Sequence, residues 1–107
     1  MSVWETREAS FEKRQEIDAE LRFKSLARRN KLVGLWAGEK LGMTEAAAAD
    51  YARRVVADEV GKDDDEALAR GLEVQFAELD PPISAHRIRR KIAEFTVVAA
   101  REIFAGR

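Results

Sequence analysis

Three features of the sequence predict an all-α protein: a small four-helix bundle whose long first helix either overhangs the bundle at its N-terminal part or is disordered there. No run of alternating β-branched residues is long enough for a strand. Turn-forming residues gather in three places and divide the chain into four segments, each with apolar residues at helical spacing. The first segment is disproportionate. From Trp4 to Leu41 it has no Pro, and no Gly before Gly34. As one helix it would span about 57 Å, whereas the other three segments are about half that long or a little more.

The elements follow in order. Helix one is predicted over about 4–41. Gly42 is placed to end it, and Thr44 to cap the next helix. Helix two runs over about 45–60 and closes at Gly61. Asp63, Asp64, Asp65 and Glu66 then give helix three, about 64–79, an acidic first turn that suits the helix dipole. Pro81 and Pro82 stop helix three, and Ser84 caps helix four at about 85–105. Each has an apolar face. Helix four carries Ile88, Ile92, Phe95, Ala99 and Ile103 in one stripe. Helix two carries Ala48, Ala52, Val55 and Val56 with Tyr51 at the edge, and helix three Leu68, Leu72, Phe76 and Leu79. In helix one Leu32, Leu35 and Trp36 form a dense patch, continued thinly by Leu21, Ile17 and Phe11. Packing of helix one should therefore begin near Leu21. That separates an arm, residues 1–20, from a bundle, residues 21–107, within a single domain.

The arm is dominated by charge. Arg14–Asp18, Asp18–Arg22 and Glu20–Lys24 are opposite charges four apart; Glu8–Glu12, Glu12–Glu16 and Glu16–Glu20 are like charges four apart. Each pair shifts an isolated helix by about 0.2–0.5 kcal/mol, with opposite signs, so they roughly cancel. Such a helix is marginal in water and should fray when free and become fully helical when docked. Two readings stay open: a solvated terminus, or a segment kept for a partner. On the second, Trp4 and Phe11 are the anchors, because aromatic and Arg side chains dominate interface hot spots.

Composition narrows the function. The 107 residues carry a net charge of −1, which argues against binding nucleic acid through bulk electrostatics. The absence of cysteine excludes disulfides, thiolate catalysis and cysteine-bound metals. No apolar run approaches the roughly 20 residues of a membrane span, and the N-terminus has no signal-peptide shape. The expected location is the cytoplasm, with no membrane insertion.

No catalytic or metal centre is legible, and no cofactor is expected. His86, the only histidine, reads as a solvated residue, with a pH-sensing role as the minor alternative. None of the four serines sits in a Gly-x-Ser-x-Gly elbow. Gly34, Gly38 and Gly42 recur every four residues in or at the end of a helix; they read as close helix packing beside Trp36, not as a phosphate loop. The acidic run 63–66 lacks the spaced ligands of a calcium loop and reads as a helix start. Two stretches are basic. Arg87–Lys91 points around more than half the helix and reads as a solvated face. Arg22–Lys31 holds five positive residues and no acidic one. Within it, Arg28, Arg29, Asn30 and Lys31 are compact enough to contact an anion or a partner; salt bridges to other helices are an equal alternative. Weak, superficial nucleotide binding is the most this face would support.

The stretch Leu21–Met43 resembles the signature of the zeta subunit family, small proteins of α-proteobacteria associated with F-type ATP synthase. The best-fitting core is Ala27-Arg28-Arg29-Asn30-Lys31-Leu32 followed by Gly34-Leu35-Trp36-Ala37. Phe11, Asp18, Glu20, Phe23 and Lys24 upstream and Tyr51-Ala52 downstream also fit, so the resemblance covers essentially the whole chain. It implies a four-helix bundle and a non-enzymatic, regulatory role: inhibition of ATP hydrolysis by the synthase. By the same resemblance, the N-terminal segment looks like the inhibitory helix of the mitochondrial ATPase inhibitor protein. It would enter a catalytic interface between the large subunits of the catalytic head. On this chain that role falls on residues 3–17, with Trp4, Arg7, Phe11, Arg14 and Ile17 as contacts. The alternative is a helical anion-binding module, for nucleotide or nucleic acid, using the Arg22–Lys31 face.

Overall fold

The computed structural model describes residues 3–106, with side chains from residue 9 onward. Four helices follow in order: α1 (Val3–Lys40), α2 (Glu45–Asp58), α3 (Asp65–Phe76) and α4 (Ala85–Ala105). The molecule is a rod, 66 × 26 × 21 Å, because α1 is far longer than the elements packed on it. α2 and α4 pack on α1, and α3 packs on α4. The four meet around one core: Val33, Trp36 and Ala37 of α1, Tyr51 of α2, Leu68, Leu72 and Phe76 of α3, and Ile88 and Ile92 of α4. Trp36 and Phe76 meet edge to face, with ring centroids 5.4 Å apart.

Local chemistry sets the boundaries. The Thr44 side chain accepts from the Ala47 N–H, Asp64 from Ala67 and Ser84 from Arg87, so each short helix has a polar N-cap. At the end of α1, Gly42 has φ +79°, the left-handed conformation that favours glycine. Its N–H donates to the Glu39 carbonyl, and the Met43 N–H donates to that of Gly38, which together form a Schellman stop.

Several expectations are corrected. α3 ends at Phe76, not near residue 79; the Leu79 N–H closes a turn onto the Phe76 carbonyl while the Leu79 side chain still reaches the core. α2 ends at Asp58, two residues early. Leu21 is only half-buried, and the first buried position of α1 is Ser25, one turn later. Leu32 and Leu35 are half-buried, while Val33 and Ala37 are fully enclosed. Tyr51 lies in the core rather than at its edge. Its hydroxyl bonds Gln75, and burial pushes its pKa above the usual tyrosine value.

Of the three glycines four apart, Gly34 and Gly38 serve close packing and Gly42 does not. A Cβ on Gly34 would stand 2.6 Å from the Ala52 Cα, and one on Gly38 2.9 Å from the Ala48 Cβ; at Gly42 nothing lies within 4 Å. The glycine ridge of α1 thus seats directly against the alanine ridge of α2. Gly34→Ala should therefore destabilise the fold. Overpacking costs about 1–3 kcal/mol, and the gain of about 1 kcal/mol in helix propensity offsets only part of it. Gly71, mid-helix in α3 with open space around it, should behave oppositely. Gly71→Ala is expected to stabilise by about 0.5–1 kcal/mol. Thermal melts of the two variants should move in opposite directions; a higher melting temperature for Gly34→Ala would contradict the close-packing account.

Candidate partner-binding arm and its polar root

Residues 9–20 of α1 are exposed at every position. Phe11 keeps 60% of its surface in water and Ile17 41%, and Phe23, one step further along, keeps 53%. These three large apolar side chains are spaced six residues apart. At 3.6 residues per turn each step rotates by about 240°, so the three point roughly 120° apart around the rod. No flat surface could cover them together. Phe11 and Arg29 are eighteen residues apart, five whole turns, so the Phe11 side continues the side of α1 that packs into the bundle. Arg14 is exposed beside Ser10, Lys13, Ile17 and Asp18. Trp4 and Arg7 belong to α1 by backbone, but their side chains lie outside the described residues.

Of the opposite-charge pairs read in the arm, Glu20–Lys24 closes at 3.0 Å. Arg22 reaches across to Asp63 in the turn before α3 instead. That contact begins a polar root where the arm meets the bundle. Arg28 donates to Glu102 of α4 at 2.7 Å. Arg29, only 2% exposed, donates to Asp65 of α3 at 2.6 Å, to Asn30 Oδ1 at 2.9 Å and to Thr96 of α4 at 3.4 Å. α1 is thereby tied by charge to the α2–α3 turn, to the first residue of α3 and to α4 within two helical turns.

Arg28, Arg29, Asn30 and Lys31 therefore do not form one surface. Arg29 and Asn30 are interior, Arg28 is committed to Glu102, and Lys31 faces solvent. The signal for Arg29 was its register: it lies four and seven residues before Val33 and Trp36, on the buried stripe. The acidic run is the other half of the same arrangement. Asp63 pairs Arg22, Asp64 caps α3, Asp65 holds Arg29, and Glu66 takes Arg89. The helix-start reading of the run stands, and the Arg29–Asp65 pair is the salt bridge to another helix expected as the alternative for Arg28–Lys31; the pairs to Arg22 and Arg89 were not anticipated.

The second basic stretch also differs from a purely solvated face. Arg89 bridges Glu66 and Glu73 of α3 at 2.9 and 2.8 Å. Its hydrogen bond holds the Glu66 carboxyl below the usual carboxylate range, and the Arg89 pKa rises in return. His86 is exposed, near Arg87, Arg90 and Lys91. Among the described residues, no group of three or more His, Cys, Asp or Glu could hold a metal ion, and no helix is long and apolar enough to cross a membrane.

A family model described as ATPase inhibitor subunit zeta matches residues 1–102. No curated protein and no solved structure gave a match. The match spans nearly the whole chain, and the chain belongs to the ATPase inhibitor subunit zeta family.

Proposed function

We propose that this member of an ATP synthase inhibitor family blocks ATP hydrolysis by inserting residues 3–17 of α1 into a catalytic interface of the synthase head. The bundle, with its packing from about residue 21 onward, remains outside as the base from which the helix projects. The protein is a regulatory subunit rather than an enzyme, acting on the cytoplasmic side where the head stands. The observation that carries this reading is the bare stretch 9–20, a helix exposed all round with Phe11 and Ile17 on different sides. Anchors placed that way need walls on both sides, as a cleft between two subunits provides. Trp4, Arg7 and Arg14 complete the proposed contact set.

The anion-binding alternative draws no support from the structure. Of the five cations in Arg22–Lys31, Arg22, Lys24, Arg28 and Arg29 are already engaged by carboxylates. The test is ATP hydrolysis by the cognate synthase, with the full chain and with a chain lacking residues 1–17. The full chain should inhibit and the truncated chain should lose inhibition by at least tenfold. Its melting temperature should stay within a few degrees, because none of residues 9–17 is buried. Undiminished inhibition by the truncated chain would reject the arm as the inhibitory element.

A further inference from the structure

Where the arm enters the bundle, α1 and the turn after α2 border a half-open cavity of about 250 Å³. Its walls are apolar: Phe23 and Leu26 of α1, Val56 near the end of α2, and Val60 in the turn. Phe23 and Val60 keep 53% and 56% of their surface in water, so these walls are still wet. The rim carries two cations and two carboxylates, Arg22 and Lys62 against Glu59 and Asp63, and their charges sum to zero. One polar group stands deeper. Asn30 is 2% exposed, and its Oδ1 accepts from Arg29 Nε at 2.9 Å. Its amide nitrogen donates to nothing among the described residues. No fully buried side-chain nitrogen or oxygen among them lacks a partner, so this nitrogen is reached from open space, and the open space that Asn30 borders is this cavity.

We infer that this cavity is a binding site for a small uncharged molecule with an apolar body and one carbonyl group, whose oxygen accepts from the Asn30 amide. Three observations set that chemistry. The amide is a donor enclosed on most sides with its N–H groups unused, and a carbonyl oxygen is the neutral acceptor that satisfies it. The walls gain by covering Phe23 and Val60 with an apolar body. The balanced rim draws in neither an anion nor a cation, and a charge set against apolar walls with one neutral donor would lose its hydration without return. Size follows from the volume. Drug-sized ligands occupy about 300–1,000 Å³, so this cavity takes a smaller molecule. The amide fixes which end enters first, a constraint that apolar walls alone do not supply. The site stands whether or not the arm is the inhibitory element.

Acetophenone, an aromatic ring with one carbonyl, is the probe. Titrated into the full chain and followed by ¹H–¹⁵N NMR, it should shift the backbone amides of Asn30, Gly61 and Lys62, and the shifts should saturate. Benzoate has nearly the same shape but carries a charge, and should bind at least about tenfold more weakly. Asn30→Asp keeps an oxygen for Arg29 and turns the donor into an acceptor, so acetophenone affinity should fall at least about tenfold. Ala19→Leu, at an exposed position on the border of the cavity, should fill its entrance and weaken binding as much without disturbing the core. The dispersion of each variant's spectrum shows whether it is folded. Shifts that do not saturate mean a cavity holding water alone and overturn the site. So do shifts that fall instead on Lys31, Leu35 and Ile103, or an affinity unchanged in either folded variant. Benzoate binding as tightly as acetophenone overturns the uncharged class of ligand.

Discussion

Asp65→Ala is expected to cost more stability than removing the arginine it pairs with. Arg29 is 2% exposed, while the Asp65 side chain keeps 56% of its surface in water. The two deletions therefore leave different debris. Without Asp65, a guanidinium is enclosed with only Asn30 and Thr96 for company, both neutral. An uncompensated buried charge of this kind costs about 3–5 kcal/mol. Arg29→Met leaves a carboxylate that water already reaches, and a side chain that fills most of the vacated space. The lost charge-assisted hydrogen bonds should then cost about 1.5–3 kcal/mol. The double variant should be more stable than Asp65→Ala alone, because the stranded charge has gone. Urea unfolding of the three variants measures this directly. If Asp65→Ala proved the mildest of the three, the buried-charge account of the arm's root would be wrong. Inhibition assayed at a temperature where each variant is folded should stay near that of the parent chain, since neither residue belongs to the arm.

The same pair marks where sequence reading stopped. The four helices, their caps and the exposed arm were legible because each depends on neighbours in the chain. Thr44, Ser84, the acidic turn before α3 and the charged surface of residues 9–20 all act within a few residues of themselves. Arg29 is different. Its burial depends on Asp65, thirty-six residues away, and on Thr96, sixty-seven away. Composition marks an arginine as exposed, and only the fold supplies the carboxylate that allows it inside. The end of α3 failed for another reason. Leu79 continues the apolar period past Phe76, and a turn that returns Leu79 to the core preserves the spacing without the helix. Trp4 and Arg7 stand on the sequence reading alone.

Phe76→Ala should be among the most damaging single substitutions in the bundle, and Val74→Ala, two residues away on the same helix, close to silent. Phe76 is fully enclosed and its ring meets Trp36 edge to face, linking α3 to α1 across the centre of the molecule. Val74 keeps 76% of its surface in water. Truncating a buried Phe removes its transfer free energy and leaves a cavity, together about 3–5 kcal/mol. A domain of this size has only about 5–15 kcal/mol to lose, so the variant would stand near the edge of folding. An exposed Val→Ala change falls within about 0.5 kcal/mol of zero. Urea titrations should show the midpoint falling sharply for Phe76→Ala with its slope kept, and barely moving for Val74→Ala. Equal midpoints would mean that α3 does not seat its buried stripe against α1, and the common core would fail with it. The arm provides the control. Phe11 is as large as Phe76 but 60% exposed, so Phe11→Ala should leave the midpoint almost unchanged while weakening inhibition. Phe76 is enclosed in the core, whereas Phe11 stands in water, where the proposed partner contact requires it.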